Sequence, residues 1–186
     1  MQDIEPFYNW RHLYNAEEDE LSPFYGIVHS EFEYSNTVYN YYIHPQWDEF
    51  GSRTLYLKVL FVEYEVNYAI IEMIGEWNDA VENDIMQMKR SVIDEMTAKG
   101  IYKFILIAEN VLNFHSSDAE YYEEWYDDIK DEGGWIVAIN MPQQTQQDFL
   151  QSKLTRYVKF MENFNWRTYQ PDVFFQWVDN QMLRLY

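Results

Sequence analysis

Four consecutive residues, His115, Ser116, Ser117 and Asp118, place an imidazole, two hydroxyls and a carboxylate side by side. Three chemistries could use them. A catalytic triad needs these residue types, but its members converge from distant parts of a chain. Neighbours at a turn point their side chains apart, and the sequence has no G-x-S-x-G elbow, so nucleophilic catalysis is set aside. A capping box needs only Ser117 to accept a backbone N–H three residues on and Glu120 to reach back, a cap worth about 1 kcal/mol. That reading accounts for the serines without a function. A phosphorylation switch would use Ser116. The phosphoryl group would bring about two negative charges to a helix N-terminus that favours them, beside Asp118 and Glu120, which do not.

Other polar residues fall at the ends of predicted strands. Glu76, Asn78, Glu109, Asn110, His115 and Ser117 could line one edge of a sheet. Open α/β sheets bind ligands beyond the carboxyl ends of their strands, and two carboxylates in unlike surroundings can divide acid and base roles. An enzyme or small-ligand binder built on Glu76, Glu109 and His115 is therefore the rival to an interaction module. No dinucleotide fingerprint and no P-loop is present, so no cofactor is assigned. The histidines are His12, His29, His44 and His115, and none forms an H-x-x-x-H pair. On a strand, residues two apart share a face, so HSEFE would align His29, Glu31 and Glu33. HPQWDEF gathers His44, Asp48 and Glu49 in a loop. His29, Glu31, His44 and Asp48 are thus weak candidates for a cation site; the plainer reading is the wet face of a hairpin, and no metal is assigned.

The charge balance narrows the partners. Thirty-two acidic side chains against 13 basic ones give a net charge of −19. A phosphate backbone is held by clustered Lys and Arg, and an anionic membrane likewise; neither nucleic acid nor membrane is expected. A protein with a basic patch is the favoured partner, facing the acidic side of the second predicted helix at Glu120, Glu123, Glu124 and Asp127. Nothing in the pattern sets an oligomeric state. With no cysteine, disulfides and thiolate chemistry are excluded. The stretch MQDIEPFYNW lacks the basic start and apolar core of a secretory leader. The longest apolar runs fall short of the roughly 20 residues that span a bilayer. A cytoplasmic location is expected.

The elements that must position these residues follow from periodicity. Residues 1–53 are rich in Tyr, Trp, Asn and Glu and read as an aromatic β extension, with two short strands about a turn at Tyr34-Ser35-Asn36. It is expected to pack on a core over 54–186, the whole forming one domain. LYLKVLFVEY (55–64) and YAIIEMIGEW (68–77) read as a hairpin. A helix follows, capped by Asn78 or Asp79, with Val81, Ile85, Met88, Val92 and Met96 on one face, and it stops at Lys99-Gly100. IYKFILIAENVLNF (101–114) is a buried strand. The second helix opens at HSSD, turns Ala119, Tyr122, Tyr126 and Ile129 inward, and stops at Gly133-Gly134. GWIVAINMP is another strand. A third helix carries Phe149 or Leu150, Leu154, Tyr157, Val158 and Met161 inward, and a last one starts at Pro171. The order β, β, α, β, α, β, α, α predicts an α/β fold, a mainly parallel sheet with right-handed crossovers and an antiparallel first strand.

This order resembles the STAS domain, the fold of bacterial anti-sigma factor antagonists, over roughly residues 55–164. IIEMIGEWNDAVENDI resembles the family's strand, G-E-L-D and first helix, with Gly75, Glu76, Trp77 and Asn78 in the tetrad. FILIAENVLNFHSSD resembles its buried strand followed by D-S-S-G, with His115, Ser116, Ser117 and Asp118 in that tetrad. DEGGWIVAINMPQQTQQDFLQS resembles its G-G-x-[LV] strand and the polar turn into the next helix. The resemblance implies a STAS-like sandwich and a non-enzymatic regulatory module. In that family a partner kinase, which is also the anti-sigma factor, phosphorylates the first serine of D-S-S-G, and the phosphate breaks the complex. The resemblance makes Ser116 the phosphoacceptor here, with His115 in place of the family's aspartate and Asp118 in place of its glycine.

Overall fold

A computed structural model describes residues 4–185. Its main sheet has five strands, β3 (Leu55–Glu63), β4 (Tyr68–Asn78), β5 (Lys103–His115), β6 (Trp135–Ile139) and β7 (Val158–Met161), in the spatial order β3-β4-β5-β6-β7. β3 and β4 are an antiparallel hairpin, and every later pairing is parallel. A two-stranded hairpin, β1 (Thr37–Val38) and β2 (Tyr41–Tyr42), precedes it. The helices are α1 (Asp84–Met88) and α2 (Asp94–Ala98), joined by a π-helical turn over Lys89–Ile93, then α3 (Glu120–Lys130), α4 (Gln143–Gln151) and α5 (Pro171–Leu185).

The strand order explains the two layers. From β4 to β7 each strand is laid on the same side of the one before. Right-handed crossovers taken always in that direction carry their helices over the same face of the sheet. There α1 to α4 bury Ile85, Met88, Val92, Tyr122, Trp125, Ile129 and Phe149 against Leu57, Ile71, Met73, Phe104, Leu106 and Ile136. The opposite face, with Leu60, Tyr68, Ile70, Ile105, Ile107, Val137 and Ile139, receives no crossover helix. It is covered by Trp10 and Phe7 from the N-terminal segment, by Trp166, and by Phe174, Phe175, Val178 and Met182 of α5. Val38, Ile43 and Trp47 of the extension cover Tyr56 and Ile74 beside it. Trp10 is locked by its indole N–H, which donates to the Tyr169 carbonyl at 3.1 Å.

Four local expectations are corrected. The third predicted helix ends at Gln151: Ser152 Oγ turns back to the Phe149 carbonyl, Lys153 takes a left-handed φ of 64°, and the chain re-enters the sheet as β7. Val158 and Phe160 suit a strand as well as they suit an apolar helix stripe, which is why period alone misassigned them. The first helix starts at Asp84, so Val81 is 76% exposed in the preceding turn instead of lying on the buried stripe. Its cap position is Asn83, with φ 53° and no side-chain cap bond, while the Asp79 carboxylate accepts the Ile85 N–H at 2.9 Å from outside the helix. The N-terminal hairpin turns at Tyr39-Asn40, with Tyr39 at φ 54°, and residues 34–36 lie ahead of it. Residues 29–33 form no strand, so HSEFE does not align its side chains on one face.

Candidate functional site

β5 ends at His115, and α3 begins only at Glu120, with Ala119 at its cap and no side-chain cap bond. The expected capping box is therefore absent. Ser116, Ser117 and Asp118 lie exposed in the intervening turn, and neither serine makes a hydrogen bond to a described residue. The reason is local: the β5 strand persists to His115, whose carbonyl accepts from the backbone N–H groups of Asp79 and Ala80. That holds the chain extended past the point where Ser117 could fold over the helix start.

His115 makes a polar contact with a buried carboxylate at this strand end. Its Nε2 lies 2.8 Å from Glu76 Oε1, and the Tyr39 hydroxyl donates to Glu76 Oε2 at 2.6 Å. Glu76 is buried, while the His115 side chain is 53% exposed. Gly75, with φ 118°, directs this rung: a β-bulge follows it, and the Glu76 N–H bonds the Thr54 carbonyl. The hydrogen bond to Glu76 raises the Tyr39 phenol above its ordinary range, with smaller contributions from burial and from the carboxylate's charge. Asn78 serves the turn, its Oδ1 accepting from the Val81 N–H and its own N–H donating to Asp84. The Asn110 side chain makes no hydrogen bond to a described residue. Tyr39 was not legible as a partner, because nothing in a sequence ties a hairpin tip to a strand end 37 residues later.

Glu109 does not join this group. It stands four residues before Asn113, the register partner of Glu76, or about 13 Å along the strand at 3.3 Å per residue. Its Oε1 accepts from Asn140 and from the Trp166 indole at 2.8 and 2.9 Å, and its Oε2 from Arg167 at 2.6 Å. The neighbouring carboxyl is Glu72, 1% exposed, which accepts the Phe7 N–H at 2.7 Å and lies 3.5 Å from Arg167. Burial pushes the Glu72 carboxyl up to about 7, against the lowering pull of the Phe7 N–H and Arg167. A raised folded-state value means the folded protein holds the extra proton between the unfolded value near 4.5 and about 7. Stability is then lost as pH rises through that window. At about 1.4 kcal/mol per pH unit the full loss is on the order of 3 kcal/mol. The melting temperature should therefore fall between about pH 4.5 and pH 7, and Glu72→Gln should flatten that fall most clearly above about pH 6, the value to which burial raises Asp79. An unchanged slope in the variant would remove Glu72 as its source.

The candidate metal residues divide. His29 Nε2 lies 2.6 Å from Asp48 Oδ1 and its Nδ1 3.4 Å from Glu17. Lys58 lies between the same two carboxylates, bonded to Glu17 and 3.3 Å from Asp48 Oδ2, a charge contact outside hydrogen-bond geometry. The buried ammonium already supplies the positive charge this group needs. Glu17 and Lys58 were missed because each is unremarkable in its own stretch of sequence. Burial pushes the Glu17 carboxyl up, but the bond and charge of Lys58 outweigh it and hold the group below its ordinary value. His44 faces Glu5 at 3.3 Å and accepts the Gln46 N–H, apart from this set; Glu31 makes no bond in it.

The acidic face of α3 is partly consumed within the molecule. Glu124 receives both guanidinium nitrogens of Arg90, at 2.6 and 2.8 Å, and Asp127 pairs with Lys130 at 2.6 Å. Buried Lys89 binds Asp94 and Asp128. Glu120 and Glu123 remain without a cation among the described residues.

The fold and its strand-end site define a mixed α/β protein, mainly parallel in its sheet and without a described helix long and apolar enough to cross a membrane. No family model and no curated protein matches the chain. Among solved structures it is similar to the anti-sigma factor antagonist SpoIIAA in its unphosphorylated form, at 14% identity and a TM-score of 0.47, over 59% of this chain and 89% of that one. It is also similar to TM1081 of Thermotoga maritima in its NMR structure, at 18% identity and a TM-score of 0.43, over 69% of this chain and 90% of that one. These are likenesses of chain trace at low identity, and no residue's role is carried over from them.

Proposed function

We propose that this protein is a non-enzymatic regulatory interaction module whose phosphoacceptor is Ser116. The observation that carries the reading is the turn between β5 and α3: two exposed serines with no hydrogen bond to a described residue and no capping duty. A side chain without a structural task, at the rim of a rigid strand end, is accessible to a kinase. The STAS resemblance of the sequence points to the same serine. The net charge of −19 makes a partner with a basic patch the complementary one, and Glu120 and Glu123 are the α3 carboxylates free to meet it. Glu124 and Asp127 belong to intramolecular pairs and contribute less. One domain, with the 1–53 extension as part of the core's cover, fits the same reading.

Purification from native cells with mass spectrometry should find phosphate on Ser116 and a kinase among the co-purifying proteins. Ser116→Ala should abolish the modification. Serine left unmodified in every growth condition would overturn the switch.

A further inference from the structure

Beyond the end of β5 lies a crevice of about 500 Å³ whose lining includes Phe114, His115, Ser116, Asp148, Gln151 and Ser152. No lysine or arginine contributes to it. Beside the Gln151 amide and the Ser116 hydroxyl, which can donate or accept, three of its polar groups present acceptors. Asp148 Oδ1 accepts from the Gln144 amide at 3.3 Å, and its other oxygen makes no hydrogen bond to a described residue. The Ser152 hydroxyl donates to the Phe149 carbonyl at 2.6 Å, which leaves its oxygen lone pairs unused. For His115 the direction is set from behind. The Glu76 carboxylate can only accept, so the nitrogen facing it, Nε2, carries the proton. In the neutral form of the ring the lone pair is at Nδ1, which makes no hydrogen bond to a described residue. Glu76 is itself fixed by the Tyr39 hydroxyl, so the buried carboxylate acts as a tautomer lock for an exposed imidazole.

We propose that this crevice binds a protonated primary amine, held by His115 Nδ1, the Asp148 carboxylate and the Ser152 oxygen. An ammonium carries three donors and no acceptor, which matches these three acceptors in a strongly acidic protein. The same chemistry has two sources, a free polyamine and a lysine side chain of a partner. The site does not require phosphate on Ser116, although Ser116 lines it and a phosphoryl group there would add oxygens to the same wall.

The test is an amide NMR titration of the whole protein at low salt, with spermidine in one series and the blocked peptide Ala-Ala-Lys-Ala-Ala in another. Saturable shifts are expected at His115, Ser116, Asp148 and Ser152, and none with the norleucine version of the peptide. Asp148→Asn should weaken binding at least fivefold. Glu76→Gln should also weaken it, because the new amide donates to Nε2 and moves the ring proton to Nδ1; imidazole nitrogen shifts report that exchange directly. Spermidine binding well above the peptide's assigns a free polyamine, and comparable binding assigns a partner's lysine. Shifts that never saturate and spread over the acidic faces, or affinities untouched by Asp148→Asn and Glu76→Gln, would overturn the site. Phosphate on Ser116 is read by mass spectrometry and amine binding by the titration of unmodified protein, so loss of the phosphorylation reading and loss of the amine site are seen separately.

Discussion

Replacing Lys58 by methionine should destabilise the protein by about 3–5 kcal/mol, the range for removing one partner of a buried ion pair. Lys58 is 4% exposed on β3, and its ammonium is the cation bonded to Glu17 and facing Asp48. Both carboxylates come from the N-terminal 53 residues. Without the lysine, Asp48 keeps only His29 as a counter-group and Glu17 loses its main one. Each must then take up a proton or draw in water, and either outcome loosens the extension from the sheet. Urea unfolding gives the size of the loss. Limited proteolysis locates it, with cleavage expected first between residues 17 and 48. Adding Asp48→Asn to Lys58→Met should recover part of the stability, because one stranded charge is then removed. A variant as stable as the parent would show that the lysine contributes no more than an exposed ion pair.

Gly75→Ala is expected to cost roughly 3–5 kcal/mol, or a fall of about 10 °C in melting temperature for a chain of this length. Gly75 has φ 118°, and a Cβ there would lie 2.1 Å from the Thr54 carbonyl oxygen. That oxygen cannot retreat, because it accepts the Glu76 N–H at 2.9 Å. The hairpin must shift, and the shift carries Glu76 away from His115 and Tyr39. The comparison is Gly133→Ala, where φ is 70° and a Cβ would meet nothing within 4 Å; backbone strain alone should then cost about 1 kcal/mol. Paired thermal melts separate the close approach from the φ penalty. Equal losses in the two variants would mean that the contact with Thr54 is not the constraint.

The sheet was legible where the signal was local. LYLKVLFVEY and YAIIEMIGEW are apolar, β-branched and separated by a short polar turn, and they form β3 and β4. Pro171 starts α5 as its fixed φ favours. The stretch from Leu154 to Met161 was not legible, since its apolar spacing serves a helix stripe and a short strand equally. In the candidate site, Glu76 and His115 were brought together by reasoning about strand ends, and they do touch. Glu109 was grouped with them because strand register is invisible in a single chain; a few residues along β5 placed it beside Glu72 and Arg167 instead. Buried partners such as Lys58 and Glu72 carry no local mark, because their burial is created by segments more than 40 residues away.

The sheet face without crossover helices has a consequence for synthesis. Its cover comes from the two ends of the described chain, and they meet: Phe7 packs edge-on against Trp166 at 4.8 Å, and Trp10 bonds Tyr169 across 159 positions. A ribosome releases the first of these partners long before the second. The helix-covered face can close while translation proceeds, because each crossover helix follows its strand directly. The opposite face stays open to water, or to a chaperone, until the last segment emerges, and the closure then spans nearly the whole length of the chain. Slow translation before Trp166 would lengthen the life of that half-dressed intermediate.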